Sequence, residues 1–386
     1  FGYKEYDGPF LETVELYAAK SGEELVKEQS FVFPDRGGDL LTLRPELTPS
    51  LARMVASLGR SIVRPVRWWS FGPFWRYEKP QKGRTREFFQ WNLDLLGIES
   101  PQADAEVAAV AASFLRSVGL SPDQVKLYIN NRRLADRKLE ALGIPAEARP
   151  SVFRLIDRRD KLSTGDWQKS ALAEGLSQDQ FTGLKDMLAD QDAWQECDEL
   201  VAFFDAGHDL GISDYLAYEP TIIRGLDYYT GTVFEARDSS GEYRAILGGG
   251  RYDNLVADVG GEPISGVGFA MGDVVIGIFL KELGLSPDRK PNPAQILVTT
   301  FSDDLMPASL RVSQELRSSG MRVEWYPKSG KLGKQFKYAN REGIPLVIII
   351  GPDEAEADTV TIKDMRTGEQ KTAPMDAFLP VIESLI

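Results

Sequence analysis

The alternation of hydrophobic and polar positions predicts a mixture of strands and helices in the first third of the chain. Two aromatic-rich runs, VRWWSFGPFWRYE and REFFQWNLDLLGI, flank the polar segment KPQKGRT. This arrangement predicts a β-hairpin with a long polar loop. Apolar residues at helical spacing over 103–119 predict a helix that ends at Gly119, and VKLYINN (125–131) predicts a further strand.

The pattern changes twice further along the chain. Residues 132–217 have a polar, helical pattern with glycine punctuation, which predicts a helical insertion. Strand character returns over 218–235 and in YRAILGG, and a helix is expected from about 270 to 284. The segment SPDRKPNPA (286–294) holds three prolines and is the best linker candidate. Beyond it, strands alternate with helices, which predicts a compact α/β domain with a mostly parallel sheet over 292–386.

Composition limits the chemistry that this chain can perform. Its 386 residues leave room for two or three domains, with 42% hydrophobic and 27% charged residues. The chain has one cysteine, Cys197, and one histidine, His208, which excludes a disulfide framework or a Cys/His zinc site within one chain. A Ser-His-Asp triad would need His208, which lies in the turn-like segment DAGHDLG. Chemistry must therefore rest on Arg, Lys, Glu, Asp, Tyr and Gln, together with a bound ion.

The net charge of −13 argues, for the chain as a whole, against a nucleic-acid partner. Phosphate-binding patches are local, however, and four basic runs are candidates for them. The alternative for each run is an ordinary solvated surface. The runs are RYEKPQKGRTR (76–86), NNRRLADRK (130–138), RLIDRRDK (154–161) and KSGKLGKQFK (328–337).

The sequence also bears on where the protein acts. It shows no apolar run of the length that spans a membrane and no visible signal peptide. The single cysteine fits a reducing cytoplasm, so we expect a cytoplasmic protein without a membrane partner. The sequence begins at Phe1 rather than methionine, so we expect the natural chain to begin upstream, and a lost targeting segment stays open.

The predicted hairpin carries an unusual set of polar residues. Arg76 and Glu78 lie two apart on the first predicted strand and should share a face, as should Gln90, Asn92 and Asp94 on the second. Such a face suits a polar ligand held against a sheet, although an ordinary charged hairpin is the alternative. The loop adds four cations that suit phosphate groups: Lys79, Lys82, Arg84 and Arg86.

Three other segments carry candidate residues. Glu46 in LRPELTPS lies where a predicted strand gives way to a helix, so it can hold an ammonium group or cap that helix. The glycines of GGGRYDNL (248–255) allow close approach to a ligand or a tight turn. In TIIRGLDYYTGTVFE, Arg224 is a cation at the end of a predicted strand. Tyr228 and Tyr229 should alternate faces, so that one packs and one binds a ligand.

These motifs together resemble histidyl-tRNA synthetases, and the resemblance covers nearly the whole chain. RGLDYYTGTVFE and GGGRYDNL resemble the two histidine-specific signatures of that family. FWRYEKPQKGRTREFFQWNLDLLG resembles motif 2 of class II aminoacyl-tRNA synthetases, and LRPELTPSLARM resembles the family's substrate-binding segment. SGKLGKQFKYANREGIPLVIIIG and TVTIKDMRTGEQ are similar to its anticodon-binding domain.

The resemblance implies a fold and a set of partners. The fold would be an α+β class II catalytic domain, an antiparallel sheet with flanking helices, with a helical insertion and a C-terminal α/β anticodon-binding domain. The partners would be histidine, ATP with Mg²⁺, tRNA(His) and a second copy of the chain in a homodimer. The implied divisions are 1–131 and 218–285 for the catalytic domain, 132–217 for the insertion, 286–293 for the linker and 294–386 for the anticodon-binding domain.

The resemblance also implies roles for individual residues. The catalytic residues would be Arg224 and Arg76, and the ATP-binding residues Arg76, Glu78 and Arg84. The histidine-binding residues would be Glu46, Thr48, Gln90, Asp94, Tyr229 and Tyr252. No metal would be bound by cysteine or histidine side chains. Because binding and electrostatic stabilisation would carry the reaction, no general base is required.

One departure from the family pattern favours a second hypothesis. Motif 3 of the family carries an arginine, and GVGFAMGDVVIGIF has Val275 at the corresponding position. The chain could therefore be a catalytically silent paralogue that senses histidine as a regulatory subunit of histidine biosynthesis. Such paralogues usually lack the RGLDYYTG segment and the anticodon-binding domain, and both resemblances are present here.

Overall fold

The computed structural model describes residues 1–18, 29–159, 162–223, 228–287 and 292–385. The chain divides into two compact units, Phe1–Ser286 and Pro287–Ile386. In the described part of the chain, no helix is both long and apolar enough to cross a membrane.

The first unit is built on an eight-stranded sheet, with a separate three-stranded sheet beside it. Its strands are β1 (Lys4–Glu5), β2 (Leu11–Thr13), β3 (Val32–Pro34), β4 (Leu40–Leu43), β5 (Val66–Trp75), β6 (Glu87–Leu96), β7 (Val125–Asn131), β8 (Leu216–Tyr218), β9 (Thr232–Asp238), β10 (Leu247–Tyr252) and β11 (Gly266–Gly272). The large sheet has the order β1-β5-β6-β11-β10-β9-β7-β8, and the small sheet the order β2-β4-β3. The six central strands are antiparallel, as expected, and β1 and β8 are parallel edge strands.

The helices of the first unit lie on the faces of the large sheet and in the predicted insertion. They are α1 (Val14–Ala18), α2 (Thr48–Leu58), α3 (Pro101–Ser117), α4 (Arg132–Ala141), α5 (Arg149–Asp157), α6 (Thr164–Ala173), α7 (Gln178–Ala189), α8 (Asp198–Asp209), α9 (Leu255–Asp258) and α10 (Asp273–Glu282). The predicted antiparallel sheet with flanking helices is therefore confirmed for the first unit.

One face of the large sheet, the back face, is apolar. Because side chains alternate along a strand, Leu93 and Leu95 of β6 point to one side, and they join Phe234 of β9 and Phe269 of β11 in one buried cluster. Helices α3 and α8 cover this cluster. Ser100 caps α3 by accepting a hydrogen bond from the Ala103 amide, which fixes where the covering helix begins.

The predicted insertion, 132–217, contributes helices to two different cores. Residues of α4 to α7 form a separate cluster that includes Val152 and Phe181. Trp167 packs against Phe181 and donates its indole N–H to the Leu155 carbonyl at 3.0 Å. Helix α8, by contrast, packs on the back of the large sheet.

The second unit is a smaller α/β structure. Its strands are β12 (Ile296–Val298), β13 (Val323–Trp325), β14 (Leu346–Ile349), β15 (Thr359–Asp364) and β16 (Gln370–Pro374), and its helices are α11 (Met306–Ser318), α12 (Leu332–Glu342), α13 (Pro352–Glu356) and α14 (Leu379–Glu383). The sheet order is β13-β12-β14-β15-β16. The first three strands are parallel and the last two are antiparallel, so the expectation of a mostly parallel sheet holds for only half of the strand pairs.

Candidate functional site

The β5–β6 hairpin forms one polar wall of a cavity. Gln90, Asn92 and Asp94 lie on the face of β6 opposite the apolar back face, as the alternation predicted, and all three line the cavity. Ser70 of β5 pairs with Asn92 in the same row of the sheet. This front face is therefore polar where the back face is a hydrophobic core.

Arg76 and Glu78 lie beyond the strand on which they were predicted. Strand β5 ends at Trp75, and the two residues belong to the extended start of the hairpin loop. The prediction of a shared strand face is wrong for this pair, although both line the cavity. The Nε atom of Arg76 donates to the Pro45 carbonyl at 3.0 Å, and its guanidinium lies 5.4 Å from the centre of the Phe88 ring. These contacts fix Arg76 at the rim of the cavity.

The tip of the hairpin loop is closed by an ion pair. An Nη1 atom of Arg84 lies 2.5 Å from Oε2 of Glu78, and a β-bridge joins Gln81 to Arg84. Gly83 has a φ of +79°, a left-handed conformation that a glycine adopts without strain and that permits this tight turn. Arg84 is thus held at the mouth of the cavity, where phosphate oxygens could replace the Glu78 carboxylate.

Glu46 is a carboxylate that lines the cavity rather than a helix cap. Helix α2 begins at Thr48, and its N-cap residue is Leu47, so the capping interpretation of Glu46 is wrong. Glu46 is buried, and its Oε2 atom accepts a hydrogen bond from the Tyr228 hydroxyl at 3.2 Å. Thr48 lines the cavity next to it. A buried carboxylate here suits a positively charged group of a ligand.

Asp94 is a buried acid of the cavity with a strongly raised pKa. It is 3% exposed and accepts a hydrogen bond from the Tyr252 hydroxyl at 2.6 Å. Burial raises the pKa of Asp94 from 3.8 to about 7, while the Tyr252 hydrogen bond acts to lower it. Burial and the neighbouring Asp94 raise the pKa of Tyr252 well above its ordinary value, so Tyr252 is a neutral donor. A perturbed acid in a cleft marks a candidate recognition site.

Small residues on the central strands make the floor of the cavity. On the front face, β10 carries Gly248 and Gly250, and β11 carries Gly268, Ala270 and Gly272. A Cβ atom at Gly268 would overlap Oδ1 of Asp94, and one at Gly250 would lie 2.7 Å from the Thr232 carbonyl oxygen. The GGGRYDNL glycines are therefore strand residues that leave room above the sheet, and the alternative of a tight turn is wrong.

The RGLDYY segment is described only in part. Arg224, the predicted catalytic cation, lies outside the described residues. Tyr228 and Tyr229 are both buried, both line the cavity and pack with their ring centres 4.8 Å apart. The prediction that they occupy alternate faces of a strand is wrong, because the described residues between β8 and β9 do not form a strand. Tyr228 is a site residue that the sequence did not assign.

The cavity brings together the described residues that the sequence assigned to the site. It has a volume of about 680 Å³, which is within the range of small-molecule sites. The assigned residues that line it are Glu46, Thr48, Arg76, Glu78, Arg84, Gln90, Asp94, Tyr229 and Tyr252. Among the described residues there is no cluster of three or more His, Cys, Asp or Glu side chains arranged for a metal ion.

Further cavity residues come from β9 and the loop that follows it. Glu235, Arg237, Tyr243 and Arg244 line the cavity, and none of them was assigned from the sequence. The alternation in TVFEARD could have revealed Glu235 and Arg237, because Phe234 and Ala236, which alternate with them, point into the back core. Val275, near the start of α10, also lines the cavity, so an uncharged side chain occupies this position.

Comparisons with known proteins agree with this architecture. A family model described as Histidyl-tRNA synthetase matches residues 1–273, and one described as Anticodon binding domain matches residues 295–385. The histidine–tRNA ligase of Halobacterium salinarum is 38% identical over 395 residues, which cover 98% of this chain and 90% of the relative. The motif resemblance is therefore confirmed over nearly the full length.

Solved structures show the same fold. The histidyl-tRNA synthetase from Nostoc sp. superimposes with a TM-score of 0.82 and 26% identity, covering 100% of this chain and 92% of that chain. A Bacillus halodurans protein, described as an ATP phosphoribosyltransferase regulatory subunit/histidyl-tRNA synthetase, superimposes with a TM-score of 0.71 over 87% of this chain and 88% of its own. Its 22% identity supports the fold alone. With both family models matched in order along one chain, this protein belongs to the histidyl-tRNA synthetase family of aminoacyl-tRNA ligases.

Proposed function

We propose that the chain is a histidine–tRNA ligase, which activates histidine with ATP and transfers it to tRNA(His). The observation that carries the proposal is the polarity of the cavity on the front face of the large sheet. A buried acid, Asp94, and its tyrosine partner, Tyr252, lie along one wall, and the arginines Arg76 and Arg84 hold its rim. An amino acid with a hydrogen-bonding side chain and an anionic nucleotide fit these two regions.

The amino-acid region offers complementary groups for each part of histidine. Glu46 and Thr48 would bind the α-ammonium group, with Gln90 beside them. Asp94, held by Tyr252, would accept the N–H of the imidazole, and Tyr229 would complete the ring's environment. A site that hydrogen-bonds a substrate rejects analogues that leave its buried groups unpaired. The 2.6 Å bond between Tyr252 and Asp94 supports this assignment, because it fixes the acceptor oxygen.

The nucleotide region would stabilise charge during activation. An oxygen of the histidine carboxylate bonds to the α-phosphorus of ATP, and the bond from that phosphorus to the bridging oxygen breaks. Pyrophosphate leaves with the electron pair, and no proton is transferred. Arg76 would hold the α-phosphate, and Phe88 provides an apolar surface beside Arg76. Arg84 would release its ion pair with Glu78 and bind the β- and γ-phosphates instead.

Mg²⁺ would bind with ATP, because Mg²⁺ in nucleotide sites takes most of its ligands from phosphates and water with one or two carboxylates. Glu78, which lines the cavity next to Arg84, is the carboxylate that would serve this role. When bound, Mg²⁺ neutralises phosphate charge. Arg224 keeps the role that its motif implies, as the cation that stabilises the α-phosphate when the carboxylate attacks.

The test is histidine-dependent ATP–pyrophosphate exchange, measured with Mg²⁺ on the full chain. We expect exchange with histidine and none with the other amino acids. Arg224→Ala should abolish exchange while histidine still binds, and near-normal exchange in this variant would remove Arg224 from the mechanism. No exchange by the wild type would contradict the ligase.

The alternative is the catalytically silent, histidine-sensing paralogue, and Val275 is the observation that favours it. This uncharged residue lines the cavity where the family resemblance leads one to expect an arginine. The same experiment separates the two functions. Histidine binding by calorimetry, without any pyrophosphate exchange, would favour the paralogue.

We also propose a homodimer and the five-part domain division that the motifs imply. Exposed apolar residues on the small sheet and its neighbours support a partner surface: Phe10, Leu11, Val32, Phe33 and Leu40. Light scattering should give twice the mass of the chain. Leu11→Asp should shift the protein towards monomer, whereas Leu310→Asp, at an exposed leucine of the second unit, should not.

A further inference from the structure

The cavity has a second polar wall on the opposite side of the glycine floor from Gln90, Asn92 and Asp94. The sheet order places β11 and β10 between β6 and β9. Glu235 of β9 pairs with Gly248 of β10, which pairs with Ala270 of β11, so these residues share the front-face row. Arg237 lies two residues further along β9 and lines the same cavity.

Arg237 is held in this wall by a carboxylate. Its Nε atom lies 2.5 Å from Oε1 of Glu235, whose side chain is 12% exposed. A carboxylate so nearly buried requires a charged or hydrogen-bonded partner, and Arg237 supplies it. The side chain of Arg237 remains about one third exposed at 36%, so its guanidinium reaches the cavity while its position is fixed.

Arg244 is placed at the same wall by the loop between β9 and β10. Asp238 is buried and its carboxylate accepts hydrogen bonds from the amides of Glu242 and Tyr243, each at 3.1 Å. The Tyr243 ring packs against Phe279 with ring centres 5.2 Å apart, and its hydroxyl contacts Glu282. Both ends of the loop are therefore anchored, and the next residue, Arg244, lines the cavity.

The two arginines differ in their surroundings. Arg237 is balanced by Glu235, whereas Arg244 is exposed and has no hydrogen bond or ion pair with any residue that the structure describes. An exposed arginine without a counter-charge, on the rim of a cavity, is a binding group for an anion. Val275 adds no charge at this end of the cavity. The second wall therefore places positive charge across the glycine floor from β6.

We propose that Arg237 and Arg244 bind the β- and γ-phosphates of ATP, and hence the departing pyrophosphate, from the β9 side of the glycine floor. Glu235 is a positioning residue, which holds Arg237 in the binding geometry. A guanidinium group can donate a pair of hydrogen bonds to phosphate oxygens. Arginines of the hairpin loop and of the second wall would therefore both contact the triphosphate above the glycine floor. This inference rests on the proposed function in taking ATP as the substrate.

The experiment measures how the variants Arg237→Ala and Arg244→Ala, in the full chain, bind four ligands: ATP, pyrophosphate, AMP and histidine. Each should raise the KM for ATP, and that for pyrophosphate in the reverse reaction, about 10- to 100-fold, the loss expected for a charge-assisted hydrogen bond. The Kd for AMP, which lacks the outer phosphates, should stay unchanged, as should the KM for histidine. Arg237→Lys should recover part of the loss, because it keeps the charge.

The matched control is Arg60→Ala, which removes an exposed arginine that is also ion-paired, to Glu262 at 2.8 Å. It should leave the KM values for ATP and pyrophosphate unchanged. Unchanged constants in both Arg237→Ala and Arg244→Ala would overturn the proposal. An equal loss of AMP and pyrophosphate affinity would also overturn it, since it would place the arginines at the α-phosphate or indicate a general structural defect.

The positioning role of Glu235 has its own readout. Glu235→Gln should raise the KM for ATP in the wild-type background but have no further effect in the Arg237→Ala background. An equal effect in both backgrounds would show that Glu235 acts independently of Arg237.

Failure of the ligase function is recognised separately. If the wild type shows no histidine-dependent exchange, direct binding of ATP, AMP and pyrophosphate to the same variants still reports on the second wall. A wild type that binds none of these three ligands would overturn the proposal.

Discussion

Asp94 is an ionisable side chain that is almost completely buried in the cavity wall. Removing a carboxylate from water disfavours its ionised form, and a single tyrosine hydroxyl offsets this only in part. Its pKa of about 7 means that the folded protein binds a proton at Asp94 more tightly than the unfolded chain does. The free carboxylate is therefore a reactive acceptor, which a ligand N–H would stabilise.

The raised pKa of Asp94 predicts how the stability of the protein depends on pH. The stability that the raised pKa of Asp94 gives to the folded protein is fully present below the ordinary pKa of 3.8. It is lost as the pH rises through about 7. Asp94→Asn does not titrate and can still accept the Tyr252 hydrogen bond. The unfolding free energy of the variant minus that of the wild type should therefore be roughly 3 kcal/mol larger at pH 8 than at pH 4.5.

Denaturant unfolding of both proteins at the two pH values measures this gain, and comparison at equal pH cancels the other titrating groups. A difference that does not change with pH would show that the pKa of Asp94 is ordinary. In the same variant we expect histidine binding to weaken, because an acceptor for the imidazole N–H loses its charge.

Arg251 presents the opposite case, in which a buried charge is fully matched. It is 4% exposed, and its Nε and Nη2 atoms donate to Asp104, which is also buried, at 3.0 Å and 2.5 Å. Its Nη1 donates to the Ile98 carbonyl at 3.1 Å. The side chain thereby ties β10 to the first turn of α3 behind the cavity.

Breaking this pair should be costly, and replacing both members much less so. Arg251→Met should lower the unfolding free energy by about 3–5 kcal/mol, because Asp104 stays buried without its cation. Arg251→Met combined with Asp104→Leu should recover most of that loss. A double-mutant cycle by denaturant unfolding measures the coupling, and additive losses would mean that the pair does not act as a unit.

At the scale of elements, strand β11 determines the shape of the cavity. Its front face is Gly268, Ala270 and Gly272, and its back face carries Phe269 and Met271 into the core. The back face of the strand is thus packed into the core, and its front face carries only small side chains or none. A bare front is what allows Asp94, on the neighbouring strand, to lie across Gly268.

Two glycines of this strand provide a matched test. A Cβ atom at Gly268 would overlap Oδ1 of Asp94 and lie 2.6 Å from the Leu93 carbonyl oxygen, whereas one at Gly272 meets no atom within 4 Å. Gly268→Ala should therefore destabilise the protein by roughly 1–3 kcal/mol through overpacking and weaken histidine binding. Gly272→Ala should leave the melting temperature within a degree or so, and equal melting temperatures for both variants would contradict the close contact.

The elements also show where sequence reasoning succeeds. The β5–β6 hairpin was predicted because its strands alternate strongly and its loop is polar, and α3 because its apolar spacing ends at a glycine. Strand β11 was missed because GVGFAMG consists largely of small residues with weak strand preference. The polar wall on β6 was predicted from alternation alone. The wall on β9 was missed because Arg237, Tyr243 and Arg244 lie beyond the end of the RGLDYYTGTVFE signature.

At the scale of the whole molecule, the two units have separate hydrophobic cores. Phe1–Ser286 contains the large sheet and the complete cavity, and Pro287–Ile386 contains a five-stranded sheet with its own buried cluster. Since every described residue assigned to the cavity belongs to the first unit, activation of histidine should not need the second. The second unit matches an anticodon-binding family model, so its deletion should reduce the charging of tRNA.

Deleting residues 287–386 separates these two contributions. We expect ATP–pyrophosphate exchange to fall less than about tenfold, because the cavity and its supporting core remain, while charging of tRNA(His) falls by several hundredfold or more through loss of a charged contact surface. Arg76→Ala in the full chain is the counterpart, since it should depress both reactions together. If the deletion instead reduced exchange and charging equally, the second unit would be a structural support for the first. The basic run 328–337 would then be an ordinary solvated surface rather than a contact for tRNA.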